Sequence, residues 1–172
     1  LRMPKGGFYF DSISRQEPID DLKLNPEDNL QEFGRINDKD LKIYQQQADD
    51  LYKNTDLAIV AAFPGTAFGD IALVPAPFLK YPKGIRDIEE WYISTVARKD
   101  YVREVFARQS EIAIENLKLA YQAVGDKIQL IWMDGNDLAS QTSLFCSLDG
   151  YRELYLPYAK KLNDWKKQLL EH

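Results

Sequence analysis

Histidine and cysteine are almost absent from this chain. The single histidine, His172, is the last of 172 residues, and the single cysteine is Cys146. One cysteine excludes an internal disulfide and fits a reducing compartment, so a cytoplasmic location is expected. With its one histidine at the very end, the segment has no Ser-His-Asp or Cys-His arrangement inside the fold, and no His-rich metal site. Long apolar runs are absent too. The longest, Leu57 to Phe63, is strand-sized and far below the roughly 18 residues of a membrane span. A basic stripe is also missing. Lys and Arg number 22 against 27 Asp and Glu, a net charge of −5, which argues against a nucleic-acid partner. The pairs Lys160-Lys161 and Lys166-Lys167 lie on a helical pattern and read as a solvated face. The first residues, Leu1 to Lys5, have no apolar signal-peptide core. The chain does not start with Met, and its last helical pattern runs to Leu170 without a cap. Both ends look cut, so a piece of a longer protein is expected.

What is present is an ordinary globular composition, with 45% apolar and 28% charged residues, enough to build a core without staples. Residues 1–36 read as an irregular N-terminal segment, with Gly7-Phe8-Tyr9-Phe10 as a possible short aromatic strand. Asn37 can cap a helix to about Lys53, with Leu41, Tyr44, Ala48 and Leu51 on one face. Leu57 to Ala62 is apolar on both alternating faces, the pattern of a buried parallel strand. Prolines 75, 77 and 82 keep any helix there short. Helical spacing returns from Ile85 to Ala97. Asp100 can cap a longer helix that ends at Gly125 as its C-terminal cap. Ile128 to Met133 reads as a second buried strand. Ser147 can cap a last helix that Pro157 interrupts. Strands alternating with helices imply a parallel α/β sheet.

In such sheets ligands collect where strands end. Two loops qualify. Phe63 to Asp70 carries Gly65, Thr66 and Gly69, with no phosphate signature. Its bland reading is a turn that needs positive φ. The other loop, Asp134 to Thr142, holds Asp134, Asn136, Asp137, Ser140, Gln141 and Thr142 directly after a strand. Asp134 and Asp137 can act as acid and base or bind a hard cation. Alternatively, they satisfy the loop's own amides. Cys146 precedes a helix start, where the helix field lowers a thiol pKa, although a small buried thiol is the plainer role. Trp91, Tyr92, Trp132 and Trp165 lie on helix or strand patterns and are assigned to the core.

Ala123-Val124-Gly125-Asp126, the strand after it, and Gly135-Asn136-Asp137-Leu138-Ala139-Ser140-Gln141-Thr142 resemble the "AVGD – strand – GDDLGTQ" segment of the uroporphyrinogen decarboxylase superfamily. That superfamily includes the cobalamin- and zinc-dependent methyltransferases. Ser147 to Trp165 is similar to the family's "SPEhFREFhKPYhKRLhDW" helix (h, apolar). Gly65-Thr66-Ala67-Phe68 and Lys83 to Trp91 resemble its "GTPFE…RGhEEhL" segment. The resemblance spans roughly residues 57–172 and is most specific from Ala123 onward.

The resemblance implies that residues 37–172 form part of a TIM (β/α)8 barrel, from a chain about twice this long. It implies a methyltransferase-like enzyme acting on a corrinoid-linked methyl group and a thiol. The alternatives are a tetrapyrrole decarboxylase and a non-catalytic ligand-binding barrel. Asp137, Gln141, Asn136, Asp134, Gly65 and Thr66 would line the mouth. Zinc would be bound outside this segment, and a corrinoid protein or a small molecule would be the partner, with a homodimer possible. Asn136 replaces an acidic family residue, and the family's arginine-bearing N-terminal segment and its His-x-Cys motif are not found here.

Overall fold

The computed structural model describes residues 16–70, 73–133 and 136–170. Its elements run α1 (Asp38–Asn54), β1 (Val60–Ala62), α2 (Ile88–Ala97), α3 (Lys99–Val124), β2 (Leu130–Trp132), α4 (Leu148–Leu154) and α5 (Leu156–Leu170). Short 3-10 turns at Pro26–Leu30 and Gly125–Lys127 complete the set.

Local chemistry sets most of these boundaries. The Asn37 side chain accepts from the Asp40 amide at 2.9 Å and starts α1. Asp87 does the same for Glu90 at 3.0 Å and starts α2. Ser147 accepts from the Gly150 amide at 3.0 Å and starts α4. Each cap satisfies one of the amides that a helix start leaves bare. Gly125 ends α3 with φ +64°, a left-handed conformation that a Cβ disfavours. Pro157 lies in the first turn of α5, one residue after Tyr155 separates it from α4. There its missing N–H costs nothing.

Helix α3 is the axis of the molecule. Val102, Val105, Phe106, Ala113, Leu117, Ala120 and Val124 form a continuous buried stripe at helical spacing. Against it pack α1, α2, α4, α5 and the 3-10 turn at Pro26–Leu30. Residues 16–36 are mostly irregular yet bonded into this body. Asn116 on α3 accepts from the Ile36 amide at 2.8 Å and donates to the Gly34 carbonyl at 2.8 Å. Arg86 is the main polar anchor. Its side chain is 2% exposed and forms a two-pronged pair with Glu32, at 2.6 and 3.0 Å. It also donates to the carbonyls of Lys83 and Asp28, each at 2.6 Å. Gly84 lies beside it at φ +85°, where a Cβ would stand 2.3 Å from Asn29 Oδ1.

The expected barrel is not formed. The described residues are mainly helical, with two short parallel strands in one small sheet. Val60 pairs with Leu130, Ala61 with Ile131 and Ala62 with Trp132. The parallel pairing follows the expectation, but burial on both faces does not. Ala61 and Ile131 pack against the core. Val60, Leu130 and Trp132 are 58%, 46% and 60% exposed on the other face. A barrel strand needs neighbours on both edges and cover on both faces. Here helix α3 and its partners cover one face only. Trp132, assigned to the core from its pattern, is therefore a surface residue. Leu51 on α1, at 44% exposed, departs from its expected buried face as well.

Candidate functional site at the strand ends

The parallel pairing sends the chain out of β1 and β2 in the same direction, so the loops after Ala62 and Trp132 leave from adjacent strand ends. Residues 138–145 form a narrow turn. Ala139 and Leu144 make an antiparallel bridge, and the Phe145 amide donates to the Leu138 carbonyl at 2.9 Å. Ser140 organises the tip. Its hydroxyl accepts from the amides of Thr142 and Ser143, at 3.3 and 3.1 Å. Its own amide donates to the Ser143 carbonyl at 2.8 Å.

This settles how Asp137 is used locally. Satisfying the loop's amides falls to Ser140, and Asp137 has no part in it. Asp137 takes part through its backbone, whose carbonyl accepts from the Tyr92 hydroxyl at 2.9 Å. Among the described residues, no hydrogen bond or ion pair engages the Asp137 carboxylate or the Gln141 amide, and both residues are exposed. Asn136 is half-buried, and its Oδ1 is buried without a hydrogen-bond partner. Asp134 lies outside the described residues.

The glycine loop behaves differently. Gln109, buried on α3, donates to the carbonyls of Gly65 and Ala67 at 3.2 and 2.6 Å. Thr66 is buried. Gly65 has φ +91° with open space where a Cβ would go. The turn thus needs glycine for its backbone angle and not for a close approach. Gly65 lines an open cleft of about 270 Å3 with Arg35, Asp40, Tyr44 and Asn116. Asp137 and Gln141 do not line that cleft. The six residues expected at one mouth are therefore divided. Asn136, Asp137 and Gln141 are on the β2 loop, and Gly65 and Thr66 are on a strut tied to α3.

Other residues do gather behind the β2 loop. Tyr92 stacks on Phe145 with ring centroids 4.6 Å apart. Burial first, then the charges of Asp137, Cys146 and Asp70, push its phenol up to about 12. Burial also raises the Cys146 thiol, so the helix start that follows does not make it a thiolate at neutral pH. Tyr155, stacked on Tyr151, is buried, and burial raises its phenol strongly. Trp91 is likewise buried, with its Nε1 unpartnered. Sequence reasoning assigned Trp91 and Tyr92 to the core and passed over Tyr155. An aromatic pattern reports burial and says nothing about where the polar tip points. For Tyr155, the one available signal was a tyrosine among the apolar positions of a buried stripe, because a buried phenol needs a partner.

Among the described residues, no group of three or more His, Cys, Asp or Glu side chains is placed to hold a metal ion. No described helix is long and apolar enough to cross a membrane. No family model, curated protein or solved structure matches the chain.

Proposed function

We propose that the chain takes a small molecule at the ends of β1 and β2, as the substrate-binding part of an enzyme similar to the methyltransferase-like branch of the uroporphyrinogen decarboxylase superfamily. One observation carries this reading. Asp137 and Gln141 stand in the loop after β2 with side chains that bond to none of the described residues, while Ser140 holds the loop together. Polar side chains kept at a strand end without local work are what a ligand site requires. In this reading Asp137 accepts from a donor on the substrate, and Gln141 offers both an acceptor and a donor. Tyr92 fixes the Asp137 backbone, so the carboxylate meets the substrate from a set position. The substrate class, a corrinoid-linked methyl group together with a thiol acceptor, comes from the resemblance of residues 123–165.

A test is the retention of methylcobalamin by the purified protein in equilibrium dialysis. The expected result is saturable retention, weakened several-fold by Asp137→Asn and by Gln141→Ala, with unfolding midpoints unchanged. If neither methylcobalamin nor a small thiol is retained, or if both substitutions leave retention intact, the reading is wrong. A second reading is a non-catalytic binding protein of the same kind. It is favoured by Asn136, an amide where the family carries an acid. It predicts retention without transfer of the methyl group to the thiol.

A further inference from the structure

The open cleft of about 270 Å3 that Gly65 lines has no role in the reading above, since neither Asp137 nor Gln141 lines it. Its walls come from the segment before α1, the first turns of α1, the turn after β1, and α3. Bonds to α3 hold these walls in place. Asn116 accepts from the Ile36 amide and donates to the Gly34 carbonyl, each at 2.8 Å. Gln109 donates to the Gly65 carbonyl at 3.2 Å. A site whose walls are fixed beforehand loses little order when a ligand enters.

The walls suit a flat molecule. Gly34 and Gly65 both line the cleft, and a Cβ at either would meet nothing within 4 Å. Bare backbone at two points allows close approach. The rings of Phe33 and Tyr44 line it too. Phe63 braces the Tyr44 ring edge-on, with centroids 5.3 Å apart. A cavity of about 150 Å3 encloses one benzene, so this cleft has room for two fused rings.

Charge narrows the choice. Glu32, Arg35 and Asp40 are the charged residues of the lining. Glu32 is neutralised by Arg86, at 2.6 and 3.0 Å. Arg35 forms a long pair with Glu115, 3.7 Å apart on the surface. Such pairs are weak, which leaves the guanidinium free to donate to a ligand and to stack on its ring. Asp40 accepts from the Asn37 side-chain amide at 2.8 Å. A carboxylate has roughly four acceptor sites, so Asp40 keeps capacity for a second donor. One acid and one base then remain, and they oppose an anion and a cation respectively.

The geometry points to a second binding site, in which this cleft takes a neutral, planar, two-ring heterocycle of the nucleobase kind. The ring lies against Gly34 and Gly65. Its amino group donates to Asp40, and a ring nitrogen accepts from Arg35. This site does not depend on the reading of the β2 loop.

The test is an NMR titration of the intact chain with adenine, following the backbone amides of Gly34 and Gly65 and the side-chain amide of Asn116. Adenine is expected to shift these signals saturably and to leave the amides of residues 138–145 in place. Indole, which has a donor and no ring acceptor, should bind about threefold to tenfold more weakly, the range that one neutral hydrogen bond carries. Asp40→Ala should weaken adenine binding about tenfold, because it removes a charged acceptor. Gly34→Leu puts a side chain into open space at the cleft. It should keep the parent's urea midpoint and lower adenine affinity at least tenfold. The inference is overturned if adenine leaves the three signals unmoved, if indole binds as tightly as adenine, or if folded Gly34→Leu binds adenine as the parent does. Should Gly34→Leu fail to fold, Asp40→Ala decides, and undiminished binding by that variant overturns the inference.

Discussion

Helix α3 and the two-stranded sheet are both rich in apolar residues, yet they end in opposite environments. On α3 the apolar stripe is covered by helices on several sides, and seven of its apolar residues are buried. On the sheet every outward position is open, with Val60, Leu130 and Trp132 about half exposed or more. The polar groups divide the same way. Arg86 and Asn116, in the helical body, are fully engaged. At the strand ends, Asp137 and Gln141 make no side-chain bond among the described residues, and Asn136 keeps an unpartnered oxygen. Stability therefore resides in the helical body, and the strand ends are left to recognition. Strain and unsatisfied groups are expected to concentrate where a protein works.

Substitutions can break this comparison. The largest expected effect is at Arg86. Arg86→Met leaves Glu32 and the carbonyls of Lys83 and Asp28 without their donor. It should destabilise the fold by about 3–5 kcal/mol in urea unfolding. Phe106→Ala removes a fully buried ring that meets Phe68, Trp91, Tyr155 and Tyr158. It should cost a similar amount, about 3–5 kcal/mol. If either change is silent, the helical body is not where the stability lies.

A smaller effect is expected with pH. Burial and nearby acids hold Tyr92 above its ordinary value of 10.0, at about 12. Its neutral form is thus favoured by folding. That contribution is complete below pH about 10 and is lost as the pH rises toward about 12. The 295 nm absorbance of tyrosinate should appear in step with loosening of the 136–145 loop, and Tyr92→Phe should abolish that part of the transition. At the sheet, Trp132→Ser should change stability by only about 0.5 kcal/mol, while lowering the binding of an apolar dye such as ANS. A large loss of stability would mean that the outer face is covered after all. Asp137→Asn should have the smallest effect on stability, within about 0.5 kcal/mol, because its exposed carboxylate bonds to none of the described residues.

Much of the helical body was legible in the sequence. Asn37 and Ser147 cap as their residue types predict, Gly125 closes α3, and the Pro157 pattern splits into two helices. These features are local, and the residue types that make them are few. Both strands and their parallel pairing were also legible, though each is shorter than its apolar run. Coverage was not legible. Val60 and Trp132 read as core because periodicity records which residues are apolar, and it cannot say whether a surface exists to meet them. The barrel expectation failed at that step. Within the candidate site, the loop was found from its composition, but the division of labour inside it was not. Asp137 and Ser140 are both able to satisfy loop amides, and only the geometry shows that Ser140 does it. Gly65 and Thr66 were grouped with Asp137 because both loops follow strands, whereas Gln109 ties the first loop to α3.

The most direct test of the division between a stable body and a recognising strand end is hydrogen exchange with and without methylcobalamin. The account predicts that amides of α3 exchange only with global unfolding in both conditions. Amides of residues 136–145 should exchange fast alone and slow down when the ligand is added. Unchanged exchange at 136–145, or protection confined to the cleft around Arg35, Asp40 and Tyr44, would contradict it.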